Sequence, residues 1–180
     1  SIVKAEILWT RTCPLRCHYC AMATGQVNTV PLTTWQMGID NLKKLNCQFI
    51  AIYGAEPLAD PDIDKLNHFI QYITQQGLDN TLITSGCIPN IEDRLRELYQ
   101  FGLRSLTTSY DITDLDKSSG LKSSKALQLI DFFKTLGPID NVAIVVTLTK
   151  KNYKQLPQVV EQMSKKGIWT FFDLIHPDRG

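Results

Sequence analysis

Apolar residues recur along the chain in two alternating rhythms. Short runs rich in branched and aromatic side chains predict strands at Ile2 to Trp9, Phe49 to Tyr53, Thr81 to Thr84, Ser105 to Ser109, Val142 to Leu148 and Trp169 to Ile175. Between them apolar residues return every three or four positions, the spacing of a helix with one buried face. Trp35, Ile39, Leu42 and Leu45 form such a face, and Thr33 with Gln36 reads as a capping box at its start. A second helix carries Ile63, Leu66, Phe69, Ile70 and Ile73, with Asp60 as the expected N-cap, Pro61 in the first turn and Gly77 as the stop. Asn90 is the expected cap of a third, with Ile91, Leu95 and Leu98, ending at Gly102. A fourth carries Ala126, Leu129, Ile130 and Phe133 up to Gly137-Pro138, and a fifth carries Leu156, Val159, Val160 and Met163 up to Gly167.

Strands and helices alternating in units of roughly 30 residues call for an α/β fold of parallel strands joined by right-handed helical crossovers. A doubly wound open sheet and a barrel-like arc both satisfy that pattern. The one low-complexity stretch, Thr113 to Lys125, is rich in Ser, Asp and Lys and reads as a solvated loop.

Composition narrows the function classes. The 180 residues are 43% hydrophobic and 21% charged, which suits one globular domain with a sizeable core. With 19 basic against 18 acidic side chains, the net charge of +1 offers no electrostatic case for nucleic acid or a membrane surface. The longest apolar run, Val142 to Val146, is too short to span a bilayer, and residues 1–12 lack the pattern of a signal peptide. Five cysteines, three of them within eight residues, argue against a secreted disulfide framework and point to a reducing, cytoplasmic setting. The expected organisation is a single core domain over 1–180, from which flanking segments are absent if the chain is an excised piece.

Those crowded cysteines carry the chemistry. Cys13, Cys17 and Cys20 lie in one loop after the first strand, in the order Cys-Pro-Leu-Arg-Cys-His-Tyr-Cys. Thiolates are the ligands that iron–sulfur clusters and zinc select, and three of them leave one coordination position without a cysteine. His18 inside the loop keeps a Cys3His zinc site open as an alternative. Arg16 and His18 are placed to tune a bound centre through hydrogen bonds, or to be exposed side chains only.

The spacing Cys-x3-Cys-x-aromatic-Cys, with Tyr19 in the aromatic slot, resembles the signature of the radical S-adenosylmethionine (SAM) superfamily. The resemblance implies a partial barrel of six βα units over essentially the whole chain. It also implies a 4Fe-4S cluster held by the three cysteines, with SAM chelating the fourth iron. Reductive cleavage of SAM would then give a 5′-deoxyadenosyl radical that abstracts hydrogen from an organic substrate. Electrons would come from a flavodoxin- or ferredoxin-like donor. The bland alternative is a metal-binding protein of structural or electron-transfer role, without SAM chemistry.

In parallel α/β folds the site forms from loops at the carboxyl ends of the strands, and the unusual residues of this chain fall there. Gly54-Ala55-Glu56-Pro57, after the second strand, is similar to the family's Gly-Gly-Glu-Pro motif, whose backbone contacts the SAM amino group; Ala55 departs from it. Thr84-Ser85-Gly86 resembles a Thr-Asn-Gly segment after strand three, with Ser85 in place of Asn, and Thr107-Thr108-Ser109-Tyr110-Asp111 resembles a segment reading roughly Ser-Leu-Asp after strand four. On that analogy Thr84, Ser109 and Asp111 are candidates for the ribose and carboxylate of SAM, Tyr19 for the adenine, and Lys117 for a cation near the carboxylate. Each also has an ordinary reading as a strand-end hydroxyl, a cap, a core aromatic or a solvated lysine. Cys87, at the end of strand three, is a candidate catalytic thiol or a structural one, and Cys47 a buried structural one; Tyr53, Asp173 and His176 are similar cases to Cys87, with His176 a candidate at the site mouth. The substrate stays open among peptide, nucleotide-like molecule and small metabolite, because fold and cofactor site are shared across very different reactions.

Overall fold

The computed structural model of the chain describes residues 3–17, 20–112 and 119–174, with the backbone alone over 119–124. The expected Tyr19, His18, Lys117 and His176 lie outside the described residues. Six strands form one sheet in sequence order, β1 (Lys4–Leu8), β2 (Phe49–Tyr53), β3 (Asp79–Thr84), β4 (Ser105–Tyr110), β5 (Asn141–Leu148) and β6 (Trp169–Leu174). Every neighbouring pair is parallel. Helices α1 (Leu32–Lys44), α2 (Ile63–Gln75), α3 (Ile91–Gln100), α4 (Ser119–Lys134) and α5 (Leu156–Lys165) make the crossovers. No helix among the described residues is long and apolar enough to cross a membrane.

Because side chains alternate across a strand, each strand sends one set of residues to each face of the sheet. One set is apolar, and Ile7, Ile50, Ile52, Leu82, Leu106, Ile144 and Val146 pack under the helices against Leu66, Phe69, Leu95, Leu98, Ile130 and Phe133. The other set is small or polar, including Ala51, Thr81, Ser105, Thr107, Ser109 and Ala143, and it lines a cavity of about 830 Å³. Closed barrels fill this space with bulky branched side chains. Here the inner face stays open, which is what leaves room for ligands.

Local details correct several expectations. Helix α1 begins after Pro31 with no side-chain cap, so Thr33 and Gln36 form no capping box. The N-cap of α2 is Asp62, whose carboxylate accepts from Lys65 N; Asp60 instead follows a 3-10 turn over Pro57–Ala59 and accepts from Asn28 N at 2.9 Å and Asp62 N at 3.1 Å. Asn90 does occupy the N-cap position of α3, yet it sits in the left-handed region at φ 54° and makes no side-chain cap. Helix α4 starts at Ser119, inside the stretch expected to be a loop, because Ser and Lys tolerate a helix whose later turns are buried. Cys47 is a core thiol, 4% exposed, as expected from its place before β2.

Candidate active site

The cysteine loop hangs from a stem of backbone hydrogen bonds. Beyond β1 the chain keeps pairing with the end of β2, through Trp9 N to Tyr53 O at 2.7 Å, Ala55 N to Thr10 O at 3.0 Å and Glu56 N to Thr12 O at 2.9 Å. This close pairing requires Gly54: a Cβ there would stand 2.5 Å from Thr10 O. The returning limb is tied to the outgoing one by Arg11 N to Gln26 O at 2.9 Å and Gly25 N to Arg11 O at 3.0 Å. Asn28 then fixes the limb to the start of α2. Its backbone N–H donates to Asp60, its carbonyl accepts from Lys65 Nζ at 2.5 Å, and its side-chain oxygen accepts from Trp35 Nε1 at 3.3 Å.

Cys13, Cys17 and Cys20 all line the cavity. Two of the sulfurs accept backbone N–H groups, Cys13 from Leu15 and Cys20 from Met22, each at 3.4 Å. Burial pushes the Cys13 thiol up from 9.0 to about 11, against the Leu15 N–H, with the Glu56 carboxylate and the other two cysteines adding to the rise. A thiolate here needs positive charge beside it, and a metal centre is what deprotonates such a thiol. Among the described residues no group of three or more His, Cys, Asp or Glu gathers around a single ion position. The all-sulfur donor set, with N–H groups already on two sulfurs, fits an iron–sulfur cluster.

Glu56 is fully buried beside this loop, and its carboxylate joins β2 to β3. Oε1 accepts from Thr84 Oγ1 at 2.6 Å and from Leu58 N at 3.3 Å, while Oε2 accepts from Ser85 Oγ at 2.6 Å and Ser85 N at 2.8 Å. Thr84 Oγ1 also accepts from Gly86 N at 3.0 Å. Of the two hydroxyl residues, Thr84 is therefore buried behind the wall and engaged, and Ser85 is the one on the cavity lining. Sequence reasoning passed over Ser85; the signal was its hydroxyl one step nearer the loop end than Thr84.

Of the other expected residues, Gly54, Ala55, Tyr53, Ser109 and Asp173 line the same cavity. Pro57 is buried in the 3-10 turn, and Asp111 is buried just past β4, outside the lining. Cys87 is half-buried, with Sγ donating to Ser85 O at 3.5 Å, and it too stands outside the lining. Arg16 is exposed.

The model of the Radical SAM superfamily matches residues 7–170. The chain belongs to this superfamily. Radical SAM proteins use a 4Fe-4S cluster and SAM, and the donor set just described is suited to the first. Among solved structures, this radical SAM chain is similar to anSMEcpe with bound AdoMet, at 16% identity with a TM-score of 0.66 over 97% of the chain and 52% of that protein. It is also similar to methylornithine synthase (PylB), at 14% identity with a TM-score of 0.70 over 99% of the chain and 56% of that protein. The six parallel strands and their helices are thus the partial barrel of that fold. In sequence it is similar to the PqqA peptide cyclase of Gluconobacter oxydans, at 28% identity over 123 residues, 65% of the chain and 33% of that protein. The PqqA peptide cyclase of Methylorubrum extorquens (strain PA1) matches at 30% over 125 residues, 64% of the chain and 31% of that protein. The chain thus spans about a third of the length of these relatives.

Proposed function

We propose that this chain forms the catalytic core of a radical SAM enzyme that abstracts hydrogen from a peptide substrate. One observation carries the reading: the cysteine loop and the Gly54–Pro57 turn are hydrogen-bonded together at the ends of β1 and β2 and open onto one cavity. Its volume, about 830 Å³, lies near the upper end of the roughly 300–1,000 Å³ that ligand pockets occupy, which suits a cofactor and a substrate side by side. The peptide class is supported by the likeness to PqqA peptide cyclases.

Cys13, Cys17 and Cys20 would hold the cluster, and backbone groups of Gly54, Ala55, Glu56 and Pro57 would receive the amino group of SAM. When bound, the pair supplies reductive cleavage of SAM and so the radical that removes hydrogen. This chain's own part is to position and to exclude water. Ser109, on the cavity wall, is the best placed hydroxyl for the ribose or carboxylate; Thr84 acts through Glu56, and Asp111 and Tyr19 complete the expected set. Cys87, outside the lining, has a structural role in this reading. The electron donor is a flavodoxin- or ferredoxin-like protein, and the setting is the reducing cytoplasm, where three cysteines in one loop stay reduced.

The test is anaerobic reconstitution with iron and sulfide, then reduction with SAM and an assay for 5′-deoxyadenosine, for wild type and Cys17→Ala together. Wild type should bind about four irons and release the nucleoside; the variant should do neither. A cluster whose spectrum ignores SAM, with no nucleoside formed, would leave an electron-transfer or structural role instead.

A further inference from the structure

The far end of the cavity, opposite the cysteine loop, is polar in a way that cofactor binding at the strand ends does not explain. Glu6, Ala51, Thr81, Ser105 and Asn141 stand side by side in register across β1 to β5, and all five line the cavity. Ser105 is the decisive member. It is 2% exposed, and its hydroxyl has no hydrogen-bond partner among the described residues, although a buried hydroxyl without one is costly. Thr81 and Asn141 flank it, and Thr81 Oγ1 lies 3.4 Å from Thr107 Oγ1. Ala51 within this row, and Ala143 two residues beyond Asn141 on β5, add little bulk to the lining.

The charges at this end compensate each other. Lys4 Nζ lies 2.8 Å from Glu6 Oε1, so among the described residues that line the floor the cation and the anion are paired with each other. What the floor offers is a row of neutral donors and acceptors, the complement of an amide. Four residues separate Ser105 from Ser109 at the other end of the strand, about 13 Å at roughly 3.3 Å per residue. A ligand anchored on the floor must span much of that distance to present a C–H bond near the cysteine loop. On the adjoining strands Val145, Trp169 and Phe171, which also line the cavity, suit apolar side chains along the way.

We propose that this floor is a substrate subsite, in which Ser105, Asn141 and the Thr81–Thr107 hydroxyl pair hydrogen-bond a backbone amide of a short peptide segment reaching down into the barrel. The assignment rests on the peptide reading above and adds to it which residues select the substrate.

The experiment is a methyl-NMR titration of the reconstituted, oxidised chain with N-acetyl-leucine methylamide as probe. Saturable shifts are expected on the methyls of Ala51, Thr81, Thr107 and Ala143, with none on Ala126, which is buried in α4 behind the sheet. Ser105→Ala and, separately, the exposed Asn141→Ala should each weaken binding roughly five- to tenfold, the loss of one neutral hydrogen bond. N-acetyl-leucine methyl ester, which lacks the C-terminal amide N–H and keeps the acetyl one, should also bind more weakly. Affinity unchanged in both variants, shifts confined to Val145 near the mouth, or uridine binding the floor while the peptide probe does not, would each overturn the proposal. The 5′-deoxyadenosine assay on wild type separates the two claims. Nucleoside released with no floor binding removes this subsite and leaves the radical SAM reading; floor binding with no nucleoside does the reverse.

Discussion

The two sides of the cavity are built on different terms. The wall made by the ends of β1 to β3 is wired by hydrogen bonds: the stem of the cysteine loop, the close pairing of Gly54 with Thr10, and the Glu56 carboxylate with its donors from β3 and the 3-10 turn. The wall made by β5 and β6 is open, and beyond Asn141 it presents Ala143, Val145, Trp169 and Phe171, with Trp169 64% and Phe171 53% exposed. The difference teaches which part of the site is set before any ligand arrives. Hydrogen bonds between buried groups fix geometry, whereas an exposed aromatic surface leaves it to whatever packs there. A cluster and a cofactor need the first kind of wall, and a variable substrate tolerates the second.

The largest effect on this contrast should come from Glu56→Ala. It strips both hydroxyls of Thr84 and Ser85, and the Ser85 N–H, of their buried acceptor. The loss should be about 2–4 kcal/mol, a fall in melting temperature of roughly 5–15 °C for a chain of this size. Calorimetry on the cluster-free protein measures it, and a loss under about 0.5 kcal/mol would mean that the wired wall is not what holds β2 to β3.

Gly54→Ala comes next. The added Cβ meets the backbone of Thr10, which has no flexible side chain to move aside. The chain must open the β1–β2 end, at about 1–3 kcal/mol, and iron content after reconstitution should drop with it. Full iron loading in a stable Gly54→Ala protein would show that the loop does not depend on the close approach. Gly54-Ala55-Glu56-Pro57 departs from the family pattern at Ala55, and the structure shows why the first glycine is the one this chain needs.

These two residues also mark how far the sequence could be read. The alternation of strands and helices, and the place of the cysteine loop at a strand end, are periodic or local features and were legible. The Glu56 to Thr84 and Ser85 bonds join residues 28 and 29 positions apart, and the Asn28 to Asp60 bond spans 32. No local pattern announces such partners. Asp60 illustrates the cost: beside Pro61 it has the chemistry of an N-cap, and its carboxylate is instead taken by Asn28 and Asp62, which leaves Asp62 to cap α2. The inner residues of β3 and β4 fit a strand by their pattern, and that their polarity empties the barrel shows only once the face they share is known. Thr81, Ser105 and Thr107 on a face that parallel folds usually fill with Val, Ile or Leu were the overlooked signal.

A smaller effect separates the walls by pH. The Cys13 thiol titrates near 11 in the folded, cluster-free chain and near 9.0 when free of it. Below pH 9 both states hold the proton, and stability does not depend on this group. Between 9 and 11 the unfolded chain releases the proton while the folded chain keeps it, so folding loses stability as pH rises. Cys13 is half-exposed, and solvent screening makes the loss smaller than the gap in titration implies. Guanidinium unfolding of cluster-free wild type and Cys13→Ser at pH 8 and 10.5 should show wild type falling more steeply. A steeper fall in the variant would contradict the burial of the thiol.

The smallest change should be Leu174→Lys at the end of β6, just past the residues that line the open wall. Leu174 is 80% exposed at the end of β6, and Phe172, two residues before it on the strand, is 56% exposed. Among the described residues β6 pairs only with β5, so its other edge and much of its apolar surface face solvent. Edge strands of this kind are where chains stick to one another, and a lysine on the edge is a recurrent protection. Removing an exposed leucine forfeits almost no burial, so the melting temperature of the chain should stay within the equivalent of about 0.5 kcal/mol. Light scattering at high concentration should fall at the same time. A loss above about 1 kcal/mol would show that Leu174 is packed against something in the folded chain, and the division into a wired wall and an open one would then end before β6 rather than include it.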